Sequence, residues 1–146
     1  MIGTSTTNRT GGGKFVVDGL AGLEARASRV SADLDDDLDR YTELGADELL
    51  AASQLIVPVS TLEDAASRGT IPGSLKRSGK VVRHGKADYT VEYGGSEAPY
   101  AVYVHEILGY SHKPPTQAKY LEQPYHQLKG KLGEGIINGV KRTIRK

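Results

Sequence analysis

The chain predicts an α+β fold, and three features of its 146 residues carry the prediction. An apolar stripe stepping by three and four opens it, short β-branched and aromatic runs fill the middle, and a second helical stripe closes it. The expected architecture is a long N-terminal amphipathic helix and a C-terminal helix packed on a small antiparallel β-sheet of three or four strands, with long loops between. Residues 15–146 form one α+β domain in this reading, because the length suits one modest core and is short for two.

The opening "MIGTSTTNRTGGGK" is rich in Gly, Ser, Thr and Asn and has almost nothing to bury, so residues 1–14 are expected to be a flexible arm that orders on a partner. From about Asp18 the helical stripe begins: Leu20, Leu23, Ala27, Val30, Leu34, Leu38, Tyr41, Leu49, Ala52, then Leu55 or Ile56. Gly45 is a candidate bend, and Pro58 ends the helix. The stretch "DLDDDLD" (33–39) sits inside the helical period without the Gly and terminal Glu of a calcium loop, and is taken as a solvated face.

Pro58, Gly69, Pro72, Gly73 and Gly79 punctuate a long connection, with a short helical turn in "LEDAAS". "KVVRHG" (80–85) and "DYTVEYG" (88–94) form a hairpin across "GKA", and the alternation in "YAVYVHE" (100–106) predicts a third strand. The last helix opens with Pro124 in its first turn and aligns Tyr125, Leu128, Leu132, Ile136, Val140 and Ile144. Gly130, Gly133, Gly135 and Gly139 each cost about 1 kcal/mol inside a helix. Their spacing fits close packing against another backbone, or a frayed helix; both readings stay open.

Composition narrows the function classes. Hydrophobic residues make up 38% with one Phe and no Trp, a thin core that hints at stability drawn from neighbouring subunits. The absence of Cys excludes disulfides and thiolate chemistry. No apolar run approaches the roughly 20 residues of a membrane span and no signal segment follows Met1, so the expectation is a soluble protein made in the cytosol, with no membrane partner. Net charge is +1, with −5 in residues 1–60 and +6 in the rest. That polarity suits head-to-tail contacts between copies, and equally a solvated acidic helix.

Candidate chemistry concentrates in "YAVYVHEILGYSHKPPTQAKYLEQP" (100–124), which holds four of the eight tyrosines, three of the six prolines, His105 and His112. A His/Glu/His metal cluster is disfavoured: adjacent strand residues would turn His105 and Glu106 to opposite faces, and Gly109 stands where an H-E-x-x-H motif needs its second His. No G-x-S-x-G elbow is present, and "GGGK" lacks the strand and full pattern of a phosphate loop, with Phe15 in the Ser/Thr place. No catalytic, cofactor-binding or metal residues are therefore assigned, and the chain is not expected to be an enzyme. "LKRSGKVVRHGK" (75–86) and "VKRTIRK" (140–146) are basic, yet the near-zero total charge argues against free-standing nucleic-acid binding.

Four stretches in order, "IVPVST" (56–61), "GSLKRSGKV" (73–81), "APYAVYVHE" (98–106) and "QAKYLEQPY" (117–125), resemble the neck or tail-completion proteins that join head to tail in tailed double-stranded DNA bacteriophages, often labelled minor capsid or minor tail proteins. The resemblance spans roughly residues 18–143. It departs from the family's pattern at "TLEDAASRGTIP" (61–72), which separates two parts normally close together.

The resemblance implies a non-catalytic virion structural protein: a homo-oligomeric ring, sixfold or twelvefold, around the DNA channel of the head–tail neck. Its partners would be portal, adaptor or head-closure proteins, a tail terminator or tail tube protein, and the packaged double-stranded DNA. Tyr100, Tyr103, His105, Tyr110, His112, Pro114, Pro115 and Tyr120 would then be docking residues, with the Pro114–Pro115 loop laid across a neighbour. Arg77, Lys80, Arg83 and Lys86 would line the DNA side, and the acidic helix of one copy would meet the basic region of the next. The alternatives are a small nucleic-acid-binding module and, behind it, a metal-dependent hydrolase.

Overall fold

The computed structural model describes residues 19–109 and 112–145, so the arm at 1–14 and Tyr110 lie outside the described residues. Helix α1 (Leu20–Ile56) runs unbroken for 37 residues, about 55 Å. Gly45 does not break it, and the side chain of Leu132 packs where a Cβ at Gly45 would make ordinary contact. The helix ends as Val57 turns to extended backbone ahead of Pro58. Helix α2 (Leu62–Ser67) is the turn expected in "LEDAAS", its N-terminus capped by the Thr61 hydroxyl, which accepts from the Asp64 N–H at 3.1 Å. Helix α3 (Ser74–Arg77) leads into strand β1 (Lys80–Gly85), which pairs antiparallel with β2 (Asp88–Glu92) in the register Val81–Val91 and Arg83–Tyr89.

The α+β class stands, with the long N-terminal helix and the C-terminal helix in place, but the sheet has two strands. The segment expected as a third strand is helix α4 (Ala101–Glu106). Its sequence carries two competing periods. Tyr100, Val102 and Val104 alternate as in a strand, while Ala98, Ala101 and Val104 recur every third residue. Packing selects the second: Ala98 and Ala101 are buried and Val104 packs against them, while Val102 and Tyr103 turn to solvent.

Helix α5 (Glu122–Ile144) lies antiparallel to α1. Glu48 meets Lys131, Tyr41 meets Gly139 and Asp37 meets Thr143 in succession along the pair. At about 100° per residue, Asp37, Tyr41, Gly45 and Glu48 fall on one side of α1. Asp36, Asp39, Leu50 and Ser53, which contact the hairpin region, fall on roughly the other. α1 is thus the middle layer, with the hairpin on one flank and α5 on the other.

Gly139 explains the close approach of the two helices. A Cβ there would enter the Tyr41 ring, so only glycine lets α5 settle. Gly130, Gly133 and Gly135 face open space and make no such contact, and the helix is continuous through all four. The buried positions near its end are Gly139 and Thr143, while Ile144, expected on the apolar face, is 62% exposed.

The core sits at the C-terminal end of α1, where Val57, Leu75, Ala98, Ala101 and Tyr120 cluster, flanked by Ile56, Tyr93, Tyr100, Val104 and Leu121. At the other end, Leu20 and Leu23 are exposed.

Candidate functional site

The residues singled out in 100–124 divide into core and surface. Tyr120 is 2% exposed: its hydroxyl donates to the Ala101 carbonyl at 3.1 Å, and its ring stands edge-on to Tyr93 and His105. It is a core residue and not a docking residue, because the connection before α5 turns it inward. Burial pushes its phenol up to about 12, and burial also raises Tyr93, whose hydroxyl lies 2.5 Å from the fully buried Ser53 Oγ. Tyr100 packs at the edge of the same cluster.

His105 and Glu106 do not point apart. With the segment helical, His105 Nδ1 and Glu106 Oε1 are 2.6 Å apart, and Lys119 Nζ bridges Glu106 at 2.6 Å and Glu122 at 3.0 Å. The hydrogen bonds from Lys119 and His105 lower Glu106, and those to Glu106 and Glu122 raise Lys119. Lys119 holds φ at +56°, an uncommon conformation for a side chain that size, and its N–H donates to the His105 carbonyl at 2.9 Å. This network fastens α4 to the start of α5. Among the described residues no three His, Asp or Glu side chains converge as a metal site would require.

Beside the network an open groove of about 600 Å³ is lined by Leu108, His112, Gln117, Lys119, Glu122 and His126. The Nε2 atoms of both His105 and His112 are buried without a hydrogen-bond partner. On the adjoining surface Val102, Tyr103 and Leu108 are each about 70% exposed, and Pro114 and Pro115 are exposed, joined by a cis peptide. Among the described residues of the expected docking set, Tyr103, Pro114 and Pro115 are therefore exposed, while Tyr100, His105 and His112 are half-buried. A second apolar group, Leu55, Val59, Leu62 and Ile71, is exposed around the α1–α2 connection.

The four basic residues expected to face DNA are engaged within the chain. Arg83 meets Asp39 at 2.8 Å, Lys86 meets Asp36 at 2.9 Å, Lys80 meets Glu92 at 3.7 Å, and Arg77 donates to the Pro72 carbonyl at 2.9 Å. The acidic helix and the basic hairpin thus meet inside one copy, because the hairpin folds back along α1. The hairpin residues expected to meet the acidic helix of the next copy thus already have acidic partners in their own.

Asp39, which the sequence reading passed over as one of a solvated run, is the centre of the contact. It accepts from the Ala87 N–H at 2.7 Å, the Tyr89 hydroxyl at 3.0 Å and Arg83. The Ala87 backbone donor is the first cause that holds its carboxyl below the ordinary range, with Tyr89 and the Arg83 charge adding to it. Ala87 sits at φ +56°, the strained tip of the turn that delivers its N–H. A period-3.6 count would have placed Asp39 with Asp36 and Leu50, away from the α5 face, and so singled it out.

What this surface offers chemically is contact. Comparison with models of known protein families, with curated proteins and with solved structures finds no match.

Proposed function

We propose that the chain is a non-catalytic structural subunit of a tailed bacteriophage, a ring-forming neck or tail-completion component at the head–tail connection. One observation supports the reading above the rest: the four stretches that carry the resemblance meet in one core. "IVPVST" contributes Val57, "GSLKRSGKV" Leu75, "APYAVYVHE" Ala98 and Ala101, and "QAKYLEQPY" Tyr120. Stretches far apart in sequence share a structural cause, which is what a family pattern of fold-determining residues requires.

Around that core lie the exposed apolar residues of α4 and of the α1–α2 connection, surface of the kind a subunit with neighbours presents. Lys141, Arg142 and Arg145 at the end of α5, which form no ion pair among the described residues, are the candidates for contact with passing DNA. Of the set expected from the sequence, Lys80, Arg83 and Lys86 already pair with carboxylates of their own chain, and Arg77 bonds a backbone carbonyl.

Light scattering after size exclusion tests the reading, with the chain alone and mixed with candidate portal-adaptor and tail-tube proteins. A ring, alone or templated by those partners, is expected. A chain indifferent to all of them that binds duplex DNA with a steep salt dependence would replace this reading with a nucleic-acid-binding module.

A further inference from the structure

The face of α1 that α5 covers does not stop where α5 stops. Leu20, Leu23, Ala27, Val30 and Leu34 follow steps of three, four, three and four, two heptads of a coiled-coil seam. On a helical wheel they fall on the same side as Asp37, Tyr41, Gly45 and Glu48, the positions against α5. But α5 reaches only the level of Asp37, so about 17 residues of α1, roughly 25 Å, project beyond it, with Ala27 exposed and Val30 and Leu34 half-buried along the seam. Leu20 and Leu23 are 52% and 64% exposed. A helix of this length has little stability in water by itself and draws it from a packed apolar face.

We propose that two copies of the chain pair antiparallel through these projecting halves of α1, each supplying the helix that covers the other's seam. Antiparallel coiled coils stack a positions on d positions, which sets the layers as Leu23 on Leu34 and Ala27 on Val30 of the second copy, each layer occurring twice. The small Ala27 lets the helices approach closely at the centre. Charge follows the same register. Arg26 and Asp33 both flank the seam at g positions, and the antiparallel arrangement brings Arg26 of each copy to Asp33 of the other. Among the described residues neither is ion-paired within its own chain. A parallel pairing would instead face Arg26 with Arg26 and Asp33 with Asp33 across the interface or leave them unmatched.

The direction also fits the existing structure. α5 runs antiparallel to α1, so the second copy's helix continues along the same groove in the same sense. It begins where α5 ends, with its Leu20 against the exposed Ile144. Its amino end, which starts at Gly19 without a side-chain cap, arrives at the level of Asp37, where partial positive charge is favourable. This pairing concerns the chain by itself and holds or fails independently of the neck assignment.

Sedimentation of the full chain across about 1 to 100 µM is the test, since a two-heptad interface is small and its occupancy follows concentration. The expected result is a monomer–dimer transition that Val30→Asp abolishes while the thermal midpoint at low concentration stays put. Arg26→Asp and Asp33→Arg each weaken dimerisation by about tenfold, and the double variant recovers it. Because the chain has no Cys, orientation is readable directly: Leu23→Cys and Leu34→Cys chains, mixed and oxidised, form the mixed disulfide dimer. A wild-type chain monomeric throughout, an oligomer indifferent to Val30→Asp, or Leu23→Cys chains that cross-link only to themselves would overturn the proposal.

Discussion

The two halves of α1 have similar helical patterning and opposite surroundings. From Asp37 onward the helix is held on both flanks: α5 on one side through Tyr41 and Gly139, the hairpin on the other through Asp39 and Ser53. Before Asp37 the same apolar rhythm runs on past the end of α5, with Leu20, Leu23 and Ala27 exposed and Val30 and Leu34 half-buried. An amphipathic period therefore states that a face will be buried, without stating by whom. In the C-terminal half the partner is the chain's own second helix. In the N-terminal half the proposed partner is a second copy, oriented by Arg26 and Asp33 beside the seam.

The comparison can be broken hardest at the buried end. Tyr120→Ala removes the largest fully buried side chain from the cluster that closes α1 and is expected to cost about 3–5 kcal/mol, read as a lower midpoint in urea. A loss under about 1 kcal/mol would show that the cluster is not the core. Gly139→Val comes next, because its side chain must displace the Tyr41 ring; a loss of about 1–3 kcal/mol or more is expected in the same assay, and an unchanged midpoint would mean that α1 and α5 do not approach so closely.

Titration separates the two flanks. The Tyr120 phenol is raised to about 12, so the unfolded chain ionises first. Stability is intact below about pH 10 and falls as pH rises toward 12, an alkaline limit that Tyr120→Phe should relax. Asp39 shifts the other way. Its depressed folded value makes its contribution full above the ordinary carboxylate range and lost as pH falls through the folded value, so acid should release the hairpin from α1. Asp39→Asn should blunt that acid transition, followed by the fluorescence of Tyr89, and a transition that Asp39→Asn leaves unchanged would assign it elsewhere.

The smallest effect belongs to the projecting half. Leu23→Gln, assayed at a dilution that keeps the chain monomeric, should change stability by no more than about 0.5 kcal/mol. A larger loss would mean that this half is packed within the chain after all.

Much of the architecture was legible beforehand. The long helix from Leu20, its end at Pro58, the turn in "LEDAAS", the hairpin across "GKA" and the last helix with Pro124 in its first turn all depend on local periodicity and punctuation. The third strand failed for a definite reason. From Ala98 to Glu106 the stretch satisfies both a period of two and a period of three, and burial of Ala98 and Ala101 in the core rewards the second. The docking set failed in part for another: a Tyr in a polar, Pro-rich stretch has the same signature whether its ring faces a neighbour, as Tyr103 is free to do, or fills the core, as Tyr120 does.

What the sequence alone determined about this protein is where helices run, where they stop and which of their faces are apolar, since those follow from residues three or four apart. The tertiary structure decided which face meets which partner. It set Asp39 among three donors from the hairpin, neutralised Arg83 and Lys86 inside the chain, gave Gly139 its purpose against Tyr41, and left the first turns of α1 bare. Each of these joins residues dozens of positions apart, and local propensity carries no information at that range: only packing one element on another brings the groups together.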